Sequence, residues 1–284
     1  MKAVVITGVS TGIGRAAATL LAGQGFKVFG SVRKAKDGEA LSNLLGSKFT
    51  PLIFDVTEEG AVRAAAETVR QQLGGHTLTG LVNNAGIAVG GPISHLPVAE
   101  FRKQMEVNVV GPMIVTQAFL PLLGMDKTLK GEPGRIVNIS SVGGKIGAPF
   151  IAPYTASKHA IEGFSESLRR ELMLYGIDVI MVAPGHVATP IWDKAEEVDV
   201  TPYEHLEMAP AMKKFREFFI AEGKKGFPPE RIAKVIHEAL TVSSPKARYA
   251  VVPGRFQNWT MPTLLPVRAV DKIIAGKLGL KRGA

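Results

Sequence analysis

Tyr154 and Lys158 stand four residues apart in the run Tyr154-Thr155-Ala156-Ser157-Lys158. On a helix that spacing puts both side chains on one face, a turn apart. A phenol titrates near pH ~10 and is a poor proton carrier at neutrality. A neighbouring ammonium favours the phenolate and brings the phenol closer to working pH. Ser141 lies thirteen residues before Tyr154, and its hydroxyl can hydrogen-bond an alcohol or carbonyl oxygen. Held together, the three groups can move a proton at a substrate oxygen. Each also has a plainer reading. Tyr-x-x-x-Lys pairs are common on surface helices, and Ser140-Ser141 is also an ordinary strand-to-loop cap.

Positioning them requires a scaffold, and the chain supplies alternating elements. Short apolar runs at residues 3–6, 27–31, 49–54, 80–83, 135–139, 178–182 and 249–252 are bounded by Gly, Pro or polar residues, as strands are. Longer helix-compatible segments lie between them, at 14–24, 58–73, 100–122 and 154–175. Such alternation predicts an α/β fold, a three-layer doubly wound parallel sheet in a single domain spanning 1–284. Neither an internal repeat nor a Ser/Gly/Pro-rich linker divides the chain. After Pro184 the alternation breaks. Residues 185–228 form an insertion with a helical piece at 209–220, read as a substrate lid. In a C-terminal extension at about 255–284, Pro262 and Pro266 precede a short amphipathic stretch carrying Val267, Val270, Ile273, Ile274 and Leu278.

The first strand runs directly into Thr7-Gly8-Val9-Ser10-Thr11-Gly12-Ile13-Gly14, where a helix begins. Glycines permit the sharp turn and let backbone approach a pyrophosphate, and the helix N-terminus offers free N–H groups to its charge. A purely structural strand-to-helix turn could use the same glycines. The position in the first strand–helix unit favours a nucleotide and a Rossmann-type sheet.

Composition narrows the classes. The 284 residues (30.3 kDa) are 46% hydrophobic and 21% charged, close to ordinary globular usage, which excludes disordered and fibrous classes. The absence of cysteine excludes disulfides, thiolate metal sites and thiol nucleophiles. It fits a reducing, cytoplasmic location. No transmembrane helix or signal peptide is expected. Net charge is +9 and concentrates late in the chain, with seven basic and three acidic residues at 210–234 and five basic and one acidic at 267–284. This surplus could attract an anionic cofactor or lipid surface, or simply form a solvated face. No nucleic-acid recognition motif accompanies it, so no nucleic-acid partner is expected. Membrane contact by the basic tail is a weaker alternative to packing on the domain.

The glycine spacing, with Thr7 in front, resembles the short-chain dehydrogenase/reductase family. The family's other marks follow in order: Asn83-Asn84-Ala85-Gly86, then Val107-Asn108-Val109, Ser141, Tyr154-x-x-x-Lys158 and Pro184-Gly185-x-Val187-x-Thr189. The resemblance spans Met1 to Thr189. It implies that Tyr154 is the general acid/base, that Lys158 lowers its pKa and holds the nicotinamide ribose, that Ser141 orients the substrate oxygen, and that Asn108 holds a water in a proton relay. It assigns Gly8, Ser10, Thr11, Gly12, Ile13, Gly14, Asn84, Ala85, Gly86, Tyr154, Lys158, Pro184, Gly185, Val187 and Thr189 to the cofactor. Asp55 matches the residue that contacts the adenine, with Val56 beside it. Asp55 could equally cap the helix near Glu58. Family members are usually homodimers or homotetramers.

An NAD-binding fold usually carries an acid at the end of the second strand. Here Ser31, Arg33 and Lys34 come first, and no acid occurs before Asp37. A guanidinium suits a ribose phosphate, so the expectation is NADP(H) over NAD(H). Ile146, Phe150 and Ile151, with His186, Trp192, Phe215, Phe218 and Phe219 of the insertion, predict an apolar wall for a hydrophobic alcohol or carbonyl substrate. The same aromatics could serve only to pack the lid. Arg248-Tyr249 and Leu264-Leu265-Pro266-x-Arg268-x-x-Asp271 resemble the branch containing retinol dehydrogenases and 17β-hydroxysteroid dehydrogenases, which implies retinoid- or steroid-like alcohols. The alternative to an enzyme is a non-catalytic nucleotide-sensing protein on the same fold.

Overall fold

Seven apolar runs become seven strands in the computed structural model, which describes residues 2–280. They are β1 (Ala3–Ile6), β2 (Lys27–Val32), β3 (Phe49–Ile53), β4 (Gly80–Asn83), β5 (Arg135–Ile139), β6 (Asp178–Pro184) and β7 (Arg248–Val251). All pair in parallel, in the order β3-β2-β1-β4-β5-β6-β7. Parallel neighbours cannot be joined by a tight turn, so each connection crosses a face of the sheet. Those crossings carry α1 (Gly12–Gly23), α2 (Ala35–Leu45), α3 (Glu59–Leu73), α4 (Val98–Met105), α5 (Gly111–Phe119) and α6 (Ala152–Leu172). Beyond β6 come α7 (Ile191–Glu196), α8 (Ala209–Lys224) and α9 (Pro229–Thr241), and after β7, α10 (Met261–Leu264) and α11 (Val267–Leu278).

The strand period of two divides the core. Val4 and Ile6 pack with Leu21 of α1 and Ile232 and Ile236 of α9 on one face. Ala3 and Val5 pack with Val62 and Val69 of α3 and Phe119 of α5 on the other. Pro51 lies in β3, an edge strand, where its missing N–H interrupts no central ladder.

The helix expected at 100–122 is present within Val98–Leu123, with one irregularity: α4 passes through a π-helical turn at Glu106–Val110 before α5 resumes. Contrary to the expectation that no transmembrane-like helix exists, Val98–Leu123 is long and apolar enough to cross a membrane by length and composition. Here Val115, Phe119, Leu122 and Leu123 spend that apolarity against α3 and the sheet.

The insertion holds α7 and α8. Its two ends are tied by a parallel bridge between Val187 and Phe227, with Phe227 N–H donating to His186 O (3.0 Å) and Ala188 N–H to Phe227 O (2.9 Å). Helix α11 packs against α8. Lys281 and Arg282, counted in the tail's charge, lie outside the described residues.

Candidate active site

β1 and β4 are neighbours, and sequence order reverses between them, so the crevice opens at their carboxyl ends. Thr7 fixes its floor. Its hydroxyl accepts from the N–H groups of Asn84 and Ala85, both at 2.9 Å, and the Asn84 amide donates to the carbonyls of Thr7 (2.9 Å) and Gly8 (3.1 Å). The glycine turn is thereby pressed on the loop after β4. Gly8 has φ +71°, and a Cβ there would lie 2.9 Å from Ala85 Cα. Gly12 has φ +59°, and its Cβ would meet the Thr189 methyl at 3.2 Å. No side chain caps α1, leaving its first N–H groups for a ligand. This cradle fits a dinucleotide pyrophosphate.

Gly8, Ser10, Thr11, Gly12 and Ile13 line the cleft, as do Arg33, Asp55, Val56, Asn84, Ala85, Gly86, Pro184, Gly185, Val187 and Thr189. Gly14 does not. It is buried beneath the turn, where a Cβ would strike the Gly8 carbonyl and the Asn84 amide, so its glycine serves close packing rather than ligand contact. Arg33 is largely exposed, with Nη1 3.9 Å from Asp55 Oδ2, a loose pair that leaves the guanidinium free to turn. Asp55 also accepts from the Thr57 N–H (3.1 Å) and hydroxyl (2.9 Å), so the local turn and the cleft position coexist.

The cleft also brings Ser141, Tyr154 and Lys158 together. Ser141 follows β5, its hydroxyl accepting from Gly143 N–H at 3.1 Å and lying near enough to the Tyr154 phenol to influence it. On α6, Lys158 Nζ lies 5.8 Å from the Tyr154 ring centre and donates to Ile139 O at 2.8 Å. The electrostatics differ from the expectation that the ammonium lowers the phenol. Burial pushes the Tyr154 phenol up, against a smaller opposing pull from Ser141. Burial likewise pushes Lys158 down to about 8, with Glu162 acting in the other sense. Desolvation penalises phenolate and ammonium alike and dominates here.

Asn108, expected in the catalytic set, does not line the cleft. It is buried, with Oδ1 accepting from Ile87 N–H (2.9 Å) and Nδ2 donating to Ile87 O (3.0 Å) and Ser157 Oγ (3.1 Å). Ser157 in turn donates to Tyr154 O at 2.7 Å. Asn108 therefore braces the Tyr154 turn from behind, and the π-helical turn carries it there. Sequence reasoning missed Gln104, one helical turn earlier on the same side. Its amide is fully buried and holds Val89 N–H (2.7 Å) and Ile87 O (2.9 Å), fixing the loop that floors the cleft. The Gln104/Asn108 spacing was the available signal.

The substrate side is aromatic. Phe215 stacks on Phe219 with ring centres 5.1 Å apart, Phe150 meets Phe215 at 5.8 Å, and Trp192 meets Phe219 at 5.2 Å. His186 sits 5.2 Å from Phe219, its pKa lowered by burial. These side chains both pack the lid and line the cleft. Phe150 adopts φ +63°, an unfavourable backbone for phenylalanine that persists at the cleft wall. The tail contributes Met261, Leu265, Val270 and Ile274, a wall not anticipated from sequence. The whole open cleft, from the glycine turn to the tail, has a volume of about 1620 Å³.

Residues 2–199 match the family described as short chain dehydrogenase. The chain belongs to the short-chain dehydrogenase family. It is thus an oxidoreductase by membership, and the non-catalytic alternative gives way. An NADPH-dependent 3-dehydrocapnine reductase of Ornithobacterium rhinotracheale is 40% identical over 273 residues, covering 96% of each chain. Retinol dehydrogenase 5 of Mus musculus is 31% identical over 283 residues, covering 95% of this chain and 87% of its own. A solved short-chain dehydrogenase from Streptomyces avermitilis shares the fold with a TM-score of 0.77 at 24% identity, over 99% of this chain and 98% of its own.

Proposed function

We propose that the protein is an NADP(H)-dependent oxidoreductase that interconverts a hydrophobic alcohol with its ketone or aldehyde, with Tyr154 as the general acid/base. The observation carrying this reading is the convergence of Ser141, Tyr154 and Lys158 on the cleft that also holds the glycine turn. Bound there, the nicotinamide supplies or accepts the hydride. The chain's own side chains handle the oxygen. Ser141 is placed to hydrogen-bond it. The Tyr154 phenol, pushed up by burial, stays protonated at neutral pH and is set to donate as a carbonyl becomes an alkoxide. Lys158 and Ser141 then stabilise the phenolate left behind.

The choice of NADP(H) is supported by the exposed Arg33 at the cleft, only loosely paired with Asp55, by the absence of an acid between the end of β2 and Asp37, and by the relative that is named for NADPH. The volume exceeds the ~300–1,000 Å³ of an ordinary single-ligand pocket, as cofactor and substrate together require. The Phe150, Phe215 and Phe219 wall favours an apolar or aromatic substrate. A homodimer or homotetramer is consistent with Val110 at the end of the π-helical turn and Met113 in α5, which stay exposed.

The test is NADPH oxidation with a panel of aromatic, retinoid and steroid carbonyls. Tyr154→Phe should lower turnover at least ~100-fold while leaving NADPH affinity within a few-fold. Equal turnover by the variant refutes the assignment.

A further inference from the structure

Glu162 lies one helical turn beyond Lys158 on α6, only 3% exposed, and proton transfer as derived above makes no use of it. A buried carboxylate is costly unless paired. Ser140 Oγ donates to Oε1 at 2.5 Å, and the Arg248 guanidinium from β7 pairs with Oε2. Lys145, just after β5, approaches Oε2 at 3.9 Å, and Glu166, a turn further along α6, lies 3.6 Å from Arg248. From β6 only the Met181 sulfur reaches the guanidinium, at 3.8 Å. The approach depends on Gly144, where a Cβ would stand 2.7 Å from Ser140 Oγ and 3.0 Å from Glu162 Cγ. The Ser140 hydroxyl is thereby committed to Glu162, next to Ser141 on the cleft wall.

We infer that Glu162, paired with Arg248, is a positioning residue of the active site: it pins the Ser140-Ser141 turn and sets a negative charge one helical turn from Lys158. The inference rests on the assignment of Ser141, Tyr154 and Lys158 to proton transfer. Burial pulls Lys158 down to about 8, and the negative charge of Glu162 opposes that pull. Arg248 comes from a strand 86 residues further along the chain, so the acid-base helix is tied to the far edge of the sheet.

Lysine labelled with ¹³C lets Lys158 be titrated by NMR in the full chain, with Lys158→Met assigning its signal. Glu162→Gln keeps the shape and an acceptor for Ser140 but removes the charge. The Lys158 midpoint should fall by about one pH unit, a tenfold change in its ammonium-to-amine ratio. With an aromatic ketone as probe, the alkaline limb of kcat/KM should move down equally. This titration needs no substrate, so it succeeds or fails separately from the enzymatic reading. An unchanged Lys158 midpoint, even with reduced kcat, overturns the inference, because a purely structural role would lower the rate without moving the titration. If Glu162→Gln does not fold, the double variant Glu162→Met with Arg248→Met decides, because it removes the carboxylate charge without leaving a buried guanidinium unpaired. Its Lys158 midpoint should also fall, and one that holds or rises overturns the inference.

Discussion

Replacing Lys158 by Met removes a charge that the fold must otherwise hold out of water. Burial pushes this ammonium from 10.5 to about 8. At ~1.4 kcal/mol per pH unit, burying the charged form costs about 3 kcal/mol at neutral pH, and residual contact with the cleft reduces that to about 2. The variant also loses the 2.8 Å hydrogen bond from this charged donor to Ile139 O, which offsets about 1.5 kcal/mol. Lys158→Met should therefore be inactive yet more stable by about 0.5 kcal/mol, or roughly 1–2 °C in Tm. Its pH dependence follows from the direction of the displacement. Below about pH 8 folded and unfolded chains both hold the proton, and the cost is present in full. Between 8 and 10.5 the folded lysine sheds its proton while the unfolded one keeps it, so the wild type gains stability as pH rises. Urea denaturation at about pH 6.5 and pH 10, followed by fluorescence of Trp192 and Trp259, measures the difference. A variant less stable than wild type at the lower pH, or an advantage equal at both, would refute the reasoning.

Gly8→Ala forces a Cβ to 2.9 Å from Ala85 Cα at φ +71°. It should cost about 2–3 kcal/mol and abolish the rise in NADPH fluorescence on binding. Arg33→Ala should lower kcat/KM for NADPH by about 10–100-fold and that for NADH by under about 3-fold; equal losses would remove Arg33 from the phosphate. Phe215→Ala breaks the contacts with Phe150 and Phe219. It should raise KM for an aromatic ketone about tenfold with a smaller change in kcat, measured by steady-state kinetics.

The sheet was legible because buried parallel strands are short, apolar and punctuated, and all seven runs form strands within a residue or two. Helix α2 was less visible. Gly38 stands mid-helix at the cost of propensity because a Cβ there would come within 2.8 Å of Pro51 Cβ, so tertiary packing dictates the residue. The break at Asn108 carried a local signal, since Val107-Asn108-Val109-Val110-Gly111-Pro112 are poor helix formers and Pro112 has no N–H for the α-helical ladder. Residue types and spacing put Tyr154 and Lys158 on one face. Spacing says nothing about burial, however, and burial reverses the direction of the phenol's pKa. Gly14 and Asn108 were recognisable as motif members, but only coordinates separate lining from bracing. Pairing of Glu162 with Arg248 joins α6 to β7, and no local pattern encodes so distant a partner.

The bridge between Val187 and Phe227 brings the two ends of the insertion side by side at the rim of the sheet. A segment with adjoining ends makes little demand on the rest of the chain, since lengthening or shortening it alters closure entropy only logarithmically. Residues 191–226 can thus be exchanged as a cassette while Thr189, the glycine turn and α6 stay untouched, with Phe150 and α11 the surfaces a new segment must meet. Grafting a relative's segment inside this neck alters one wall of the cleft without rebuilding the glycine turn on the other.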